Sequence, residues 1–374
     1  MDSSSVVTPP YVAGPLRLEP FTGLMLSPAR VGDPASARMF ARPYRDVAAR
    51  LVRWEKGGHL LRDTEPALYL HEYTAGGITV RGLVGALDVS QRAAGPEQRA
   101  ILPHEGIYPA QADDLADRMA EMRMNPAPIL LVHRATPRLR ALLAEVVAGR
   151  PDRSFTDRAE QKHRVWALRR RSTLETVAAE LAAGRALIAD GHHRYAAYLR
   201  LQQREPGGPA DRGLAMLVDQ DDTPLFLGAI HRALLGTTID DVRSAAESAG
   251  MAYAEESEAI AVAGLGPDHL VVTDGSRWAI ITLPSSPDRA AVELLHDRLI
   301  PALPHGPRRI GYHHTVEDTL AQVGPDRATA VLLPAPDVDL VVRIAAADRL
   351  LPEKATSFQP KPSLGVLIRS LRDE

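Results

Sequence analysis

The chain has 374 residues, of which 45% are apolar and 24% are charged, and its formal net charge at pH 7 is −3. This length and composition are typical of a soluble globular protein of roughly two domains, and the near-neutral charge provides no basic field for nonspecific nucleic-acid binding. The sequence contains no cysteine, which excludes disulfides, thiolate metal ligands and a cysteine nucleophile.

The N-terminal segment 1–10 lacks the basic region and the apolar core of a signal peptide. No apolar run elsewhere is long enough to span a bilayer. We therefore expect a cytoplasmic protein with neither a membrane partner nor a nucleic-acid partner, and the sequence leaves the oligomeric state open.

The spacing of apolar residues predicts helices and strands along the whole chain after a loop-rich segment 1–35. In the first part the predicted elements are, in chain order, a helix over 45–54, a β-hairpin of 67–71 with 78–88, a helix over 112–124, strands over 129–133 and 163–168, a helix over 174–183, a strand over 186–190 and a helix over 194–205. In the second part they are a hairpin of 213–218 with 225–230, a helix over 239–249, two short strands around Asp274-Gly275 and a helix over 289–299.

A change in sequence texture after Leu235 predicts a domain boundary near residues 236–240. We accordingly predict a core domain over 1–237, a smaller α/β domain over 238–345 and a C-terminal tail over 346–374. The tail is too rich in Pro and Ser for a helix, yet it holds Lys354 and Lys361, two of only four lysines in the chain. Its apolar residues, among them Phe358, favour docking onto a core, and we expect the docked tail to deliver cationic and hydroxyl groups to a site.

The most informative motif is the run ALIADGHHRYAAY at 186–198. It predicts a buried strand, a tight turn and the N-terminus of a helix, where unpaired N–H groups and the positive end of the dipole favour an anion. Arg194 adds a two-pronged donor for phosphate or carboxylate. An ordinary turn with core or capping histidines is the alternative. The candidate phosphate-binding residues are Asp190, Gly191, His192, His193 and Arg194.

Two further groups contain residues suited to catalysis or ligand binding. His104-Glu105, followed by Asp117, offers a general base or Mg²⁺ ligands, although the spacing alone favours a surface loop and a solvated helix face. His231-Arg232 offers either a second anion contact or a structural pair. The sequence has no P-loop, no protein-kinase catalytic loop and no HExxH motif, so nucleotide chemistry would need a different scaffold.

Several of these motifs resemble those of the bacterial and archaeal family catalogued as domain of unknown function 1015. The matching segments are 103–105 with 117–118, 163–166, 190–195, 230–232 and the tail segment 352–365, in the order of the family and spanning about residues 65–370. The DGHHR and lysine-tail matches are specific, and the others support them. The N-terminal Pro-Pro-Tyr-Asp segment of the family has only a partial match at 41–46, so we expect part of the usual N-terminal region to be missing.

The strand–DGHHR–helix run also resembles the phosphate-binding signature of the ParB/sulfiredoxin superfamily, which includes partition-protein nucleotide domains, sulfiredoxins and free-serine kinases. Sulfiredoxins need a cysteine where this chain has His192, so the kinase-like branch is the one that the resemblance implies. It implies an α/β (α+β) fold with a ParB/sulfiredoxin-like nucleotide-binding core. It also implies phosphoryl transfer from ATP or ADP to a small hydroxyl compound, with free serine as the leading substrate.

The same resemblance assigns roles to individual residues. The candidate catalytic residues are His104, Glu105 and Asp117, and of these Glu105 or Asp117 would take the hydroxyl proton or bind Mg²⁺. Two lysines of the tail, Lys354 and Lys361, would neutralise the charge that develops during transfer. The full candidate nucleotide-binding set is Asp190, Gly191, His192, His193, Arg194, His231, Arg232, Lys354, Ser357 and Lys361.

Two other functions stay open at this point. A nucleotide-binding regulator or a catalytically inactive relative fits the shortened N-terminal region. A nucleotide-hydrolysing switch with a protein partner, as in partition proteins, is the second alternative.

Overall fold

The structure is a computed structural model that describes residues 6–41, 46–324 and 327–372. The chain divides into two compact units, the first formed by Met1–Leu225 with Pro360–Glu374 and the second by Phe226–Gln359. This division differs from the predicted boundaries because residues 226–228 pair with residues 357–359, which draws both ends of the middle segment into the second unit. Of the partial N-terminal match at 41–46, residues 42–45 lie outside the described residues.

The first unit contains a large sheet and the helices that connect its strands. Its strands up to residue 225 are β1 (Leu18–Glu19), β2 (Gly23–Leu26), β3 (Leu60–Arg62), β4 (Leu68–Ala75), β5 (Ile78–Asp88), β6 (Ile101–Leu102), β7 (Met124–Asn125), β8 (Ile129–His133), β9 (Arg153–Thr156), β10 (Lys162–Leu168), β11 (Ala186–Asp190) and β12 (Arg212–Asp219). Its helices are α1 (Pro34–Ala41), α2 (Val47–Lys56), α3 (Pro109–Met122), α4 (Pro137–Ala148), α5 (Arg171–Leu181) and α6 (His192–Arg204).

The large sheet has the strand order β6-β11-β8-β12-β5-β4-β10-β9, with β1 paired to β5. The pairs β6–β11 and β8–β12 are parallel, and the other pairs are antiparallel. The predicted β4–β5 hairpin is confirmed, since Ala75 pairs with Ile78 across Gly76 and Gly77. Both glycines have positive φ, at 56° and 81°, which matches the tight turns that join right-twisted strands.

One face of this sheet forms the main hydrophobic core. Leu83 on β5, Leu217 on β12 and Leu131 on β8 face each other across the strands and are buried. Helices α3 to α6 cover this face and add to the same core cluster the residues Met119, Leu139, Val177 and Leu199. The opposite face of the sheet contributes residues to the cavity described below.

The second unit is built on a six-stranded antiparallel sheet. Its elements are β13 (Phe226–Gly228), β14 (His231–Leu235), α7 (Ile239–Ser248), β15 (Ala252–Glu256), α8 (Glu258–Ala263), β16 (His269–Thr273), β17 (Trp278–Thr282), α9 (Ala291–Leu294), β18 (Arg309–His313), α10 (Val316–Leu320), β19 (Ala328–Leu332), α11 (Val338–Ala346) and β20 (Ser357–Gln359). The sheet order is β15-β17-β16-β19-β14-β18, and β13 pairs separately with β20. The predicted strands around Asp274-Gly275 are confirmed as the β16–β17 hairpin.

The predicted hairpin of 213–218 with 225–230 is wrong. Strand β12 pairs instead with β5 and β8, and β13 pairs with β20, more than a hundred residues later in the chain. The connecting loop is held by Asp219, whose carboxylate accepts hydrogen bonds from the Ala135 and Asp221 N–H groups, each at 3.1 Å, and pairs with Arg140 at 2.8 Å. Local spacing predicted two strands correctly but could not identify their partners.

After the second unit the chain returns to the first through a final strand, β21 (Ile368–Ser370). It joins the small antiparallel sheet β3-β2-β21-β7. Arg369 on this strand is fully buried and donates to the carbonyl oxygens of Arg212 at 2.6 Å and Pro209 at 2.8 Å. The C-terminal segment is therefore an integral part of the first unit.

The architecture is mixed α/β, as predicted. Among the helices of the described segments, none combines the length and the apolar character that crossing a bilayer requires.

Candidate anion-binding site

The DGHHR motif forms the junction between β11 and α6. Asp190 ends the strand, Gly191 is the N-cap with φ 97° and ψ 32°, and the helix starts at His192. A Cβ atom at Gly191 would lie 2.9 Å from the Nε and Nη2 atoms of Arg194 and 3.0 Å from the Cγ2 atom of Ile129. Both the left-handed backbone and the close approach of the guanidinium therefore require glycine at this position.

A register shift in β11 places Asp190 on the face opposite the main core. Ile188 pairs with Leu131 and Asp190 pairs with Leu130, so Ala189 is the extra residue of a bulge. In a regular ladder Asp190 would lie on the same face as Ile188, inside the core. The bulge thus keeps this carboxylate away from the apolar side of the sheet.

The strand registers bring Asp190 into one row with apolar residues of three other strands. Leu130 on β8, Met216 on β12 and Val84 on β5 lie successively opposite one another across the sheet. His71 on β4 lies on the same face. Of these residues, Asp190, Leu130, Val84 and His71 line a cavity.

The cavity has a volume of about 190 Å³ and combines apolar walls with charged groups. Residues of the C-terminal segment 361–367 form part of its wall. Its lining residues are His71, Val84, Ala127, Pro128, Leu130, Asp190, Arg194, Lys361, Pro362, Ser363, Leu364, Val366 and Leu367. The DGHHR arginine and the tail lysine therefore line the same space.

Asp190 binds both of these cations. Its Oδ2 accepts a hydrogen bond from Nη2 of Arg194, and its Oδ1 pairs with Nζ of Lys361. The Nη1 of Arg194 also donates to the Pro128 carbonyl oxygen at 2.7 Å. One carboxylate and two cations leave one net positive charge, to which the N-terminus of α6 adds the partial positive charge of its dipole.

The tail reaches the cavity because neighbouring side chains hold its backbone. The Tyr73 hydroxyl donates to the Pro360 carbonyl oxygen at 2.6 Å. Gln161 donates through Nε2 to the Lys361 carbonyl oxygen and accepts through Oε1 from the Ser363 N–H, both at 3.0 Å. These bonds place Lys361 beside Asp190 although the two residues are far apart in the sequence.

The imidazoles of the motif have a different task from the predicted one. His192 accepts through Nε2 from the N–H groups of His104 and Glu105, at 3.3 and 3.4 Å. His193 accepts through Nε2 from the Tyr108 N–H at 3.1 Å. Burial lowers the pKa of His192 to about 3, which keeps its ring a neutral acceptor. The two side chains hold segment 104–108 against α6, so only the backbone of these residues stays a candidate for binding phosphate.

The predicted catalytic role of His104 is contradicted by its burial. Its side chain is fully buried, and its ring packs edge-on against His192 with the centroids 4.6 Å apart. Burial holds its pKa well below the usual range of histidine. His104 packs against His192 and is not among the residues that line the cavity.

Glu105 lies beside the first turn of α6, on the side that carries His192. Its Oε2 is 3.9 Å from Nδ1 of His192, and its side chain is partly exposed. His192 and Arg194 point to different sides of the helix because they are two positions apart. The described lining of the cavity contains Arg194 but neither His192 nor Glu105.

Asp117, like Glu105 a candidate base or Mg²⁺ ligand, does not lie beside Glu105, so the two carboxylates do not form one metal site. Its side chain, on α3, is mostly exposed and binds Nη1 of Arg204 at 2.6 Å. Arg204 ends α6 and His192 begins it, so about 18 Å of helix separates the surroundings of the two carboxylates. In the described segments no cluster of three or more metal-binding side chains occurs.

The remaining predicted residues lie in the second unit, and two of them have structural tasks there. Arg232 is fully buried and donates to the carbonyl oxygens of Ile230, Glu353 and Lys354 at 2.7, 3.2 and 3.1 Å. His231 accepts from the Leu333 N–H at 3.1 Å, and burial lowers its pKa to about 4. The predicted second anion contact is therefore a structural pair.

Lys354 and Ser357, also predicted to bind the nucleotide, follow in the second unit. The Nζ of Lys354 lies 5.8 Å from the centroid of the Tyr312 ring, and Ser357 is buried on β20. Of the two tail lysines, Lys361 alone belongs to the unit that contains Asp190.

Sequence reasoning missed the polar groups that the sheet supplies to the cavity. His71 lines it directly, and His163 and Asp157 stand behind His71 in a chain of hydrogen bonds. The signal available was weak: His163 lies in a segment that resembles the family, whereas His71 follows an apolar run with no motif.

Comparison with known proteins gives one family and several distant structures. The family model described as "Protein of unknown function (DUF1015)" matches residues 16–298, more than half of the chain. A free serine kinase in complex with AMP is 15% identical, with a TM-score of 0.38 over 72% of this chain and 88% of that one. No curated protein matches significantly.

Two other structures are similarly distant. C-terminally truncated SbnI from Staphylococcus aureus is 11% identical, with a TM-score of 0.42 over 74% of this chain and 87% of that one. A conserved hypothetical protein from Pyrococcus furiosus is 16% identical, with a TM-score of 0.37 over 73% and 93%. Likenesses of this size do not establish a shared fold or activity, and the resemblance to the ParB/sulfiredoxin superfamily stays a prediction.

Proposed function

The chain belongs to the DUF1015 family of proteins of unknown function, and we propose that it binds the phosphate groups of ATP or ADP at the start of α6 and transfers a phosphoryl group to a small hydroxyl compound. Free serine is the leading candidate for that compound. The observation that carries this proposal is the cavity that is lined both by Arg194, in the first turn of α6, and by Lys361 of the tail.

The charges in the cavity favour a phosphate ligand. Arg194 and Lys361 exceed Asp190 by one positive charge, and the dipole of α6 contributes roughly half a charge more at its N-terminus. Arg194 presents a planar fork that matches two phosphate oxygens, whereas Lys361 is a compact charge on a flexible stem. An incoming phosphate would exchange part of the Asp190 pairing for its own, so Asp190 holds the two cations in position until the ligand arrives.

The size of the cavity limits what it encloses. Pockets for drug-sized ligands measure roughly 300–1,000 Å³, and this cavity measures about 190 Å³. It suits phosphate groups and a small acceptor and does not enclose a whole nucleoside. This agrees with recognition through the phosphates and with a small substrate such as an amino acid.

In the proposed reaction the substrate hydroxyl oxygen bonds to the terminal phosphorus. The bond from that phosphorus to the bridging oxygen breaks, and its electron pair stays on the departing nucleotide. Arg194 and Lys361 neutralise the charge that develops there. The nucleotide phosphates would hold Mg²⁺, and one carboxylate of the chain could complete its ligands, for which Glu105 and Asp117 stay the candidates; the ion would neutralise phosphate charge. Glu105, the proton acceptor that the resemblance implies, lies beside His192 and outside the described lining of the cavity, so it is an alternative acceptor for the hydroxyl proton.

Calorimetric titration of the purified chain with ATP, ADP and CTP, with and without Mg²⁺, tests the binding step. Charge-assisted hydrogen bonds contribute about 1.5–3 kcal/mol each, so R194A should weaken the best nucleotide about 10- to 100-fold. The nucleotide affinity of R194K, which keeps the charge but loses the planar guanidinium, should lie between those of the wild type and R194A. R200A is the matched control, since Arg200 lies on the same helix, is equally exposed and binds Asp113 outside the cavity lining.

Transfer is then measured with the nucleotide that binds and with L-serine and other small hydroxyl compounds. Binding with turnover supports the kinase. Binding without turnover of any hydroxyl compound favours a nucleotide-binding regulator, and hydrolysis coupled to association with a protein favours a switch. Unchanged affinity in a folded R194A protein would remove the central claim.

A further inference from the structure

Three buried side chains form a hydrogen-bonded chain that leads from the edge of the sheet to the cavity. The Oδ2 of Asp157 is 3.1 Å from Nε2 of His163, and Nδ1 of His163 is 3.1 Å from Nε2 of His71. All three residues are buried. The register of β4 with β10 makes this contact possible, because His71 and His163 are diagonal neighbours on one face of the sheet.

The hydrogen bonds assign the proton of each ring. Asp157 accepts from the N–H groups of Ala159 and Gln161 at 2.8 and 2.9 Å. Although burial raises its pKa, hydrogen bonds from the Ser363 side chain, from His163 and from the Gln161 N–H lower it below the ordinary value, so Asp157 is a carboxylate. A carboxylate only accepts, hence Nε2 of His163 carries a proton. Burial lowers the pKa of His163, so its ring is neutral and its Nδ1 accepts from Nε2–H of His71. The remaining nitrogen of His71, Nδ1, therefore carries a lone pair.

That lone pair is available inside the cavity. Nδ1 of His71 has no hydrogen-bond partner among the described residues, and His71 is part of the cavity lining. The other titratable groups that face the same space are Asp190, Arg194 and Lys361, which are already paired with one another. Tyr73, whose ring lies 5.5 Å from that of His71, uses its hydroxyl to hold Pro360.

We propose that His71 is the group that receives the hydroxyl proton of the acceptor substrate, and that His163 and Asp157 position it for this task. This role rests on the proposed phosphoryl transfer. His71 offers what Glu105 does not, a proton acceptor in the same space as Arg194 and Lys361.

The step balances without any further reactant. The hydroxyl proton moves to Nδ1 of His71 as the oxygen bonds to phosphorus, and the electron pair of the broken P–O bond leaves with the nucleotide. His71 becomes an imidazolium that keeps its Nε2–H bond to His163. The carboxylate of Asp157 stabilises this positive charge through His163, as a carboxylate behind a histidine does in other acid–base sites.

The test is H71Q. The glutamine amide can donate to Nδ1 of His163 as Nε2–H of His71 does, yet it supplies no base at the cavity. With the nucleotide identified by titration and with L-serine, we expect kcat to fall at least about 100-fold, the lower end of a general base contribution. The Kd of the nucleotide should stay within a factor of about three of the wild-type value, because Arg194 and Lys361 are untouched.

Two further readouts separate a catalytic from a merely structural role. Burial holds the pKa of His71 well below the usual range. The midpoint of the acid limb in the pH profile of kcat should therefore lie below the ordinary histidine pKa of about 6.5. D157N, which removes the charge that stabilises the imidazolium, should move that limb to lower pH and reduce kcat. H133Q is the control, since His133 is a partly buried histidine of the same unit outside the described cavity lining.

The protonation of His71 is measured independently of activity by ¹⁵N-histidine NMR of the full chain. We expect Nε2 protonated and Nδ1 unprotonated at pH 7, with the signal assigned by its loss in H71Q. The opposite tautomer, or a wild-type kcat in H71Q, overturns the role of His71. If the wild type binds nucleotide and phosphorylates no hydroxyl compound, the proposed function fails and this role fails with it, whereas turnover that survives in H71Q removes only the role of His71.

Discussion

Replacing Gly191 by alanine tests whether the geometry of the β11–α6 turn is needed for binding phosphate. Gly191 has φ 97°, and a Cβ atom there would lie 2.9 Å from two nitrogens of the Arg194 guanidinium. The methyl group therefore acts in two ways. It strains the backbone of the turn, and it pushes aside the cation that we propose to bind phosphate.

The two effects have different magnitudes and different readouts. A residue other than glycine in a sparsely populated positive-φ region costs on the order of 1–3 kcal/mol, which should appear as a loss of the free energy of unfolding. Displacing Arg194 breaks its bonds to Asp190 and to the Pro128 carbonyl oxygen. Loss of one charge-assisted phosphate bond of about 1.5–3 kcal/mol should weaken nucleotide binding about 10- to 100-fold.

Urea unfolding and calorimetric titration of G191A measure these two effects, and G76A provides the control. Gly76 also has positive φ, at 56°, but a Cβ atom there meets nothing within 4 Å. G76A should lose stability through backbone strain alone and should bind nucleotide as the wild type does. If G191A binds nucleotide with wild-type affinity and is no less stable than G76A, then neither the close approach of Arg194 nor its role in binding holds.

The remaining predictions concern pH and the two carboxylates. The pKa of His192 is about 3 in the folded chain and about 6.5 in the unfolded chain, so between these values the unfolded state binds more protons. The free energy of unfolding therefore falls as the pH falls, by about 2 kcal/mol at pH 5. Urea unfolding measures this loss, which should be smaller in H192Q. E105Q should leave both the nucleotide Kd and kcat unchanged, because Glu105 lies outside the described lining of the cavity. A lower kcat with an unchanged Kd would make Glu105 the base in place of His71. D117N removes an exposed ion pair with Arg204, so a change in stability beyond about 1 kcal/mol or any change in kcat contradicts its placement outside the site.

The elements next to the site could be predicted because their signals are local. The predicted strand at 129–133 coincides with β8, and the strand at 186–190 coincides with β11. The helix was predicted to begin at Arg194 and begins at His192, because Gly191 alone makes the turn. The sequence did not indicate that a single glycine would suffice for the turn between the strand and the helix.

The groups that complete the site could not be predicted because their positions depend on register. His71 and His163 meet only as diagonal neighbours of two strands, and the residues that separate them in sequence carry no sign of that pairing. The bulge at Ala189 is equally invisible, although it decides on which face Asp190 lies. The prediction that the histidines of the motif bind phosphate has a different cause. Their side-chain chemistry is evident from the sequence, whereas the backbone N–H groups of segment 104–108 that donate to them are not.

The position of Asp190 links the motif to the tail. Arg194 and Lys361 line the same cavity, where two cations without a counter-ion would repel each other. Asp190 pairs with both and so reduces this repulsion before a ligand enters. A phosphate competes with Asp190 for the same donors. The free energy gained on binding is therefore the difference between the phosphate pairing and the Asp190 pairing, and not the sum of the new contacts. Because one of the donors belongs to the tail, phosphate binding should also strengthen the docking of residues 360–367.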